Sequence, residues 1–153
     1  MYLVDEELQE FLESPAAIIA GTVDNAGNPH VGHGWAVQVA ADRNTISLYL
    51  EPQRCAALLA DARENGRIAA TFAHVVSYRS VQLKGRMVGE GEPSDEERAY
   101  VQRHQDGFLA ACISVGDPHD SVAALLHGDV YRIDFSVDAA FDQTPGPDAG
   151  RTL

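Results

Sequence analysis

The stretch that most constrains this chain runs from Ala56 to Val88. It reads AALLADARENG, RIAATF and, after a short break, YRSVQLKGRMV: a helix, a buried strand and an alternating strand. In the last segment Val81, Leu83 and Met87 alternate with Gln82, Lys84 and Arg86. A pleated strand sends the first set to one face and the second to the other. One face packs into a core; the other presents cations, including Lys84, the only lysine in the chain. The pattern predicts a small β-barrel with a phosphate-bearing ligand at its edge.

The remaining elements fit the same plan. Val4 to Leu12 places Leu8, Phe11 and Leu12 at helical spacing, and Ser14-Pro15 ends that helix. Ala16 to Val23 has the length and apolarity of a strand, Asp24 to Pro29 is dense in turn residues, and Val31 to Ala40 and Thr45 to Leu50 are the next two strands. Arg54 to Asn65 is a helix with Leu58, Leu59 and Ala62 on one face, terminated by Gly66 in the left-handed conformation. Arg67 to Phe72 and Tyr78 to Val88 follow as strands. Ser94 and Glu97 form a capping box that starts a helix running to Cys112, with Ala99, Tyr100, Phe108 and Leu109 buried and Gly107 weakening its interior. Asp120 to His127 makes a short helix, and Val130 to Phe135 a last strand. The expectation is a mainly β (α+β) fold: a six-stranded antiparallel split barrel with peripheral helices, not a doubly wound sheet. Residues 1–140 form the one domain, and 141–153 a Pro/Gly-rich arm. That arm, FDQTPGPDAGRTL, is either a flexible end or an ordered segment over the partner subunit or the ligand groove.

Charge narrows the partners. A net charge of −12, from 11 basic and 23 acidic side chains, argues against nucleic acid and against anionic membranes. No apolar run reaches the ~20 residues a spanning helix needs, and the N-terminus has no basic-then-apolar signal, so the expectation is a soluble cytoplasmic protein. Cys55 and Cys112 read as packing residues, with no disulfide framework or zinc spacing. His30 and His33 fall on opposite faces of a strand, the other histidines are scattered, and no metal site is expected. Ser114, Asp117 and His119 match no nucleophile motif. Against the acidic background Arg54, Arg79, Lys84 and Arg86 cluster in one folding unit, either as a ligand site or as solvated residues paired with acids.

The blocks LYLEPQRCAALLADARENGRIAATF and RSVQLKG resemble the strand, phosphate loop and following strand of the pyridoxamine 5′-phosphate oxidase-like flavin-binding split barrels. The resemblance spans roughly Phe11 to Phe135, and the FDQTPGP tail is similar to one found in a branch of that superfamily apart from the true oxidases. It implies a homodimer holding FMN in grooves between subunits, and an FMN-dependent oxidoreductase activity. It places Arg54 on the arginine of the family's phosphate-gripping Arg-Lys pair and Cys55 on the lysine. Arg79-Ser80-Val81 falls on the family's RQV triplet, with Ser80 in place of the glutamine that contacts the flavin, and Gln82 facing the same side. Gly32 and Val37 stand where true oxidases carry two cofactor-binding cations, and no pyridoxal phosphate-binding C-terminus is visible, so vitamin B6 oxidation is rejected. The candidate cofactor residues are therefore Arg54, Lys84, Gln82, Ser80 and Arg79, with Trp35 or Tyr49 as an aromatic wall for the ring. A lone strand tryptophan such as Trp35 is more often a core or dimer-interface residue. No catalytic acid or base is identified. The rival expectations are a non-enzymatic binding or sensing protein that has lost tight flavin binding, and a deazaflavin or haem binder.

Overall fold

In the computed structural model, residues 1–126 and 128–153 are described. Six strands close into one antiparallel barrel in the order β1-β2-β3-β6-β5-β4. They are β1 (Ala17–Val23), β2 (Pro29–Val39), β3 (Thr45–Leu50), β4 (Arg67–Ala73), β5 (Ser80–Gly91) and β6 (Tyr131–Asp142). Among the described residues four helices lie around them: α1 (Glu6–Leu12), α2 (Ala56–Asn65), α3 (Asp95–Ser114) and α4 (His119–Ala123).

Alternation decides what fills the barrel. Ile18 and Ala20 of β1, Ile68, Ala70 and Phe72 of β4, and Val81 and Leu83 of β5 point inward with Ile46, Leu48, Ile133 and Phe135 into one apolar core. At about 25 cal/mol per Å² of apolar surface removed from water, burial of this kind is the main force closing the sheet. The β1–β2 turn forms because Asp24 Oδ1 accepts from the amides of Ala26 and Asn28 at 2.9 and 2.8 Å, while Gly27 takes φ 91°.

The helix signals are realised locally. Ser94 Oγ accepts from the Glu97 amide and Glu97 Oε2 from the Ser94 amide, completing the capping box of α3. Gly66 ends α2 at φ 75° and donates to the Ala62 carbonyl at 2.9 Å. Gly107 has a packing reason: a Cβ there would lie 2.7 Å from Pro15 Cγ, so the glycine lets α3 approach the α1–β1 turn.

Several boundaries differ from expectation. The buried stripe of α3 is Val101, Gln105 and Cys112; Ala99 is exposed, and Tyr100, Phe108 and Leu109 are half-buried. β5 begins at Ser80, not Tyr78, because Tyr78 is left-handed at φ 61°. β6 continues to Asp142, well past Phe135: the pairing with β5 skips Asp138, so Val137 and Ala140 both face inward and strict alternation breaks there. The short helix is α4, ending at Ala123; its expected last residue, His127, lies outside the described residues.

The tail is ordered on its own chain. β3 pairs only with Tyr131 to Ser136, leaving the far half of that β6 edge open. Tyr2 donates to Val137 O, Leu153 to Ala140 O and Asp142 to Arg151 O at 2.8–2.9 Å, so both chain ends cover the edge β3 leaves bare. No helix among the described residues is long and apolar enough to cross a membrane.

Candidate functional site

The outer face of β2, β1, β4 and β5 is the surface on which Trp35, Gln82 and Lys84 fall. Its register is set by the antiparallel pairing. Val31 lies opposite Gly21, Gly21 opposite Ala69, and Ala69 opposite Lys84. The adjacent row runs His33, Ile19, Thr71, Gln82. Gly21 and Ala69 make a low floor, while Ile19 and Val31 stand 40% and 70% exposed at its β2 side. A sheet face with small residues in the middle and exposed apolar groups beside them is a surface that takes a flat ligand or a partner.

At the β2 end a cavity of about 170 Å³ is lined by Val31, His33, Trp35, Glu51, Arg54 and Cys55. Trp35 is held rigidly: its ring stacks on His33 with centroids 5.4 Å apart at 13°, and its back packs with Ala36, Tyr49, Val101 and Val130. Arg54 enters from the turn before α2, its Nε 2.9 Å from Glu51 Oε2 in an ion pair. The α2 N-terminus beside it has no side-chain cap and no acidic residue in its first turn, whereas α1 and α3 are capped by Asp5 and Ser94 and carry acids there. Uncapped first-turn amides are anion donors.

The residues expected to share the site divide into three groups. Trp35 and Arg54 line the same cavity. Lys84 and Gln82 lie on the same sheet face, but three strand spacings, about 14 Å, separate Val31 from Lys84 in their row. Within one chain Arg54 and Lys84 therefore line different cavities. Lys84 sits over the Phe141 ring at 4.9 Å, and Gln82 Nε2 donates to Thr71 Oγ1 at 3.0 Å. The third group is engaged elsewhere. Tyr49 is fully buried beneath α3, its hydroxyl 2.6 Å from Gln38 Oε1 and 2.9 Å from Glu97 Oε1 with its one proton shared between them, and burial followed by the hydrogen bond to Glu97 pushes its pKa above the usual phenol value. It cannot be a ring wall. Arg79 lies over the Phe11 ring at 4.7 Å and pairs with Glu7 at 3.1 Å, which ties it to α1. Ser80 Oγ donates to Tyr78 O and its amide to Thr144 Oγ1, so it holds the tail.

The missing family cations have a shared explanation. A Cβ at Gly32 would lie 2.4 Å from Cys55 Sγ, so these two positions pack against each other in the cavity wall and neither carries a cation into it. Burial, then the Glu51 charge, raises the Cys55 thiol above its ordinary value, as expected of an inert packing group. Val37 is fully buried in the barrel core. Sequence reasoning missed Glu51, although its i, i+3 spacing to Arg54 was a readable signal for a pair that partly neutralises the arginine. Among the described residues no group of three or more His, Cys, Asp or Glu side chains is placed to hold a metal ion.

No protein-family model matches the chain. No curated protein matches it either. Solved structures do. An F420 reductase covers 90% of this chain and 98% of its own at 17% identity and TM-score 0.56. An FMN-binding protein from Syntrophomonas wolfei covers 90% and 87% at 12% identity and TM-score 0.56. A protein from Clostridium acetobutylicum, related to general stress protein 26 and described as of the pyridoxinephosphate oxidase family, covers 96% and 91% at 14% identity and TM-score 0.54. Barrel order, register and these likenesses together give one conclusion: the chain has the split-barrel fold of the pyridoxamine 5′-phosphate oxidase-like proteins.

Proposed function

We propose that the protein binds FMN on the outer face of β2, β1, β4 and β5, in a groove completed by a second copy of the chain, and acts as an oxidoreductase. The observation that carries this reading is the uncapped, acid-free N-terminus of α2 next to Arg54 and the rigid Trp35–His33 stack. The donor set fits a phosphate monoester: one guanidinium plus first-turn amides. The low Gly21–Ala69 floor, with Ile19 and Val31 beside it and the Gln82 amide at its far edge, suits a flat ring with polar margins. A flavin supplies the redox chemistry; the chain binds it, orients it and excludes water. The likeness to an FMN-binding protein and an F420 reductase supports a flavin-type ligand, and the exposed Ile19 and Val31 support burial against a partner subunit.

The test is a fluorescence titration of FMN and of riboflavin, which lacks the phosphate. Arg54→Ala is expected to weaken FMN by about 1.5–3 kcal/mol, the worth of a charge-assisted hydrogen bond, and to leave riboflavin unchanged. Equal loss for both ligands, or none, contradicts the phosphate assignment. A second reading, a binding protein without redox turnover, is favoured by one observation: Glu51 places a carboxylate in the phosphate cavity while Gly32 and Cys55 supply no cation there.

A further inference from the structure

A cavity of about 410 Å³ lies away from the Arg54 pocket, on the outer face where β1, β4, β5 and β6 meet, and is lined by Gly21, Ala69, Arg67, Lys84, Arg86 and Asp138 among others. Its three cations are set by strand register. Arg67 of β4 lies directly opposite Arg86 of β5, and Lys84 follows two residues away on the same face. Directly opposed side chains have Cβ atoms about 5 Å apart, and like charges in that arrangement destabilise the sheet. In a chain of net charge −12, with 23 acidic side chains to choose from, none of the three has a carboxylate at ion-pair distance among the described residues. Six of the other cations, Arg54, Arg63, Arg79, Arg98, Arg132 and Arg151, are paired with acids. Repulsion is thus concentrated where it is left uncompensated.

The backbone around the cavity is shaped for close approach. A Cβ on Gly85 would lie 1.9 Å from Ser136 O, because β5 and β6 are pressed together where the pairing skips Asp138. That extra residue turns the Asp138 carboxylate to the cavity rim, the re-aiming a bulge provides. Gly21 at the floor has no side chain, and a Cβ there would make only ordinary contact with Val31. The space is therefore left open without being forced open by packing.

From this geometry we infer a second ligand site, in which Arg67, Lys84 and Arg86 bind the phosphate of a small phosphorylated, hydroxyl-bearing molecule and Asp138 accepts from one of its hydroxyls. Two arginine forks and an ammonium match the several oxygens of a phosphate ester. The lone carboxylate at the rim excludes a ligand that is anionic throughout and favours one with a donor beside its charge. The site goes beyond the flavin reading: it shares the Gly21–Ala69 floor but is gripped by Arg67, Lys84 and Arg86 and not by Arg54.

The probe is ribose 5-phosphate, with ribose as the uncharged control, followed by calorimetry and thermal unfolding. Saturable binding of the phosphate ester and not of ribose is expected for the native protein and for Arg54→Ala. Arg86→Gln and Lys84→Ala are expected to weaken it at least tenfold. The distinctive signature is opposite signs: without ligand, Arg86→Gln unfolds at a higher temperature than the native protein, because the Arg67–Arg86 repulsion is gone, yet it loses the ligand-induced shift. Binding absent in the native protein, equal for ribose, lost in Arg54→Ala, or retained in Arg86→Gln overturns the inference. Failure here leaves the FMN titration untouched, so the two readings fail separately.

Discussion

Glu97 joins three parts of the molecule through two oxygens. One accepts from the Ser94 amide at 2.7 Å; the other accepts from Tyr49 Oη and Arg132 Nη1, both at 2.9 Å. Burial pushes its pKa up, but these bonds and the Arg132 charge outweigh that and hold it at about 2, below the ordinary 4.5. The folded-state value is depressed, so the stabilisation is fully present above about pH 4.5 and is lost as pH falls towards 2. Solvent screening of this partly exposed carboxylate reduces the linked stabilisation to about 1–2 kcal/mol. Urea unfolding between pH 5 and pH 2 should show that loss, and Glu97→Gln should be about 1.5–3 kcal/mol less stable at neutral pH with a flatter acid limb; an unchanged acid limb would contradict the role. The capping box was legible in the sequence because it is local. Its bond to Tyr49 was not, because the alternation of TISLYL cannot say that a helix distant in sequence covers the outer face. Gly32 and Cys55 carry a second prediction. Gly32→Ala should cost about 1–3 kcal/mol through overpacking, and Cys55→Ala in the same chain should restore most of it. Additive losses in a double-mutant cycle would mean the two do not pack as described.

At the level of elements, the strands were readable wherever period-2 alternation ran unbroken, as in Val81 to Lys84, and misread where a bulge interrupted it, as at Asp138. Likewise the α3 stripe was read one phase off, since Tyr100 and His104 lie between the barrel and solvent, with Tyr100 donating to Val37 O at 2.7 Å. The tail composition, rich in glycine and proline, left a flexible end and an ordered arm equally open. Backbone bonds from Leu153 and Arg151 to β6, and from Gln143 to Ser80 O at 2.8 Å, make it an edge cover. Deleting Gln143 to Leu153 should lower stability by about 2 kcal/mol, two or three net hydrogen bonds, and promote aggregation through the bared β6 edge. Denaturant unfolding together with light scattering checks this; unchanged curves would show that the tail lies on the barrel without supporting it.

On the scale of the whole molecule, barrel closure places on one sheet face residues that are far apart in sequence, from Ile19 to Gln82. That face was foreseen from the cationic side of β5. The distance between Arg54 and Lys84 was not, because it depends on β1 and β4 lying between them. The result is a single outer surface with an uncapped helix terminus near one end, exposed apolar groups beside a small-residue floor, and a cluster of cations without a carboxylate at ion-pair distance towards the other. The central claim, that this surface holds a flavin, is tested most directly by the visible absorption spectrum of the protein incubated with excess FMN and freed of unbound ligand by gel filtration. The prediction is that flavin absorbance travels with the protein peak, at the elution volume of a dimer. A colourless protein peak with all the flavin in the small-molecule fraction would contradict it.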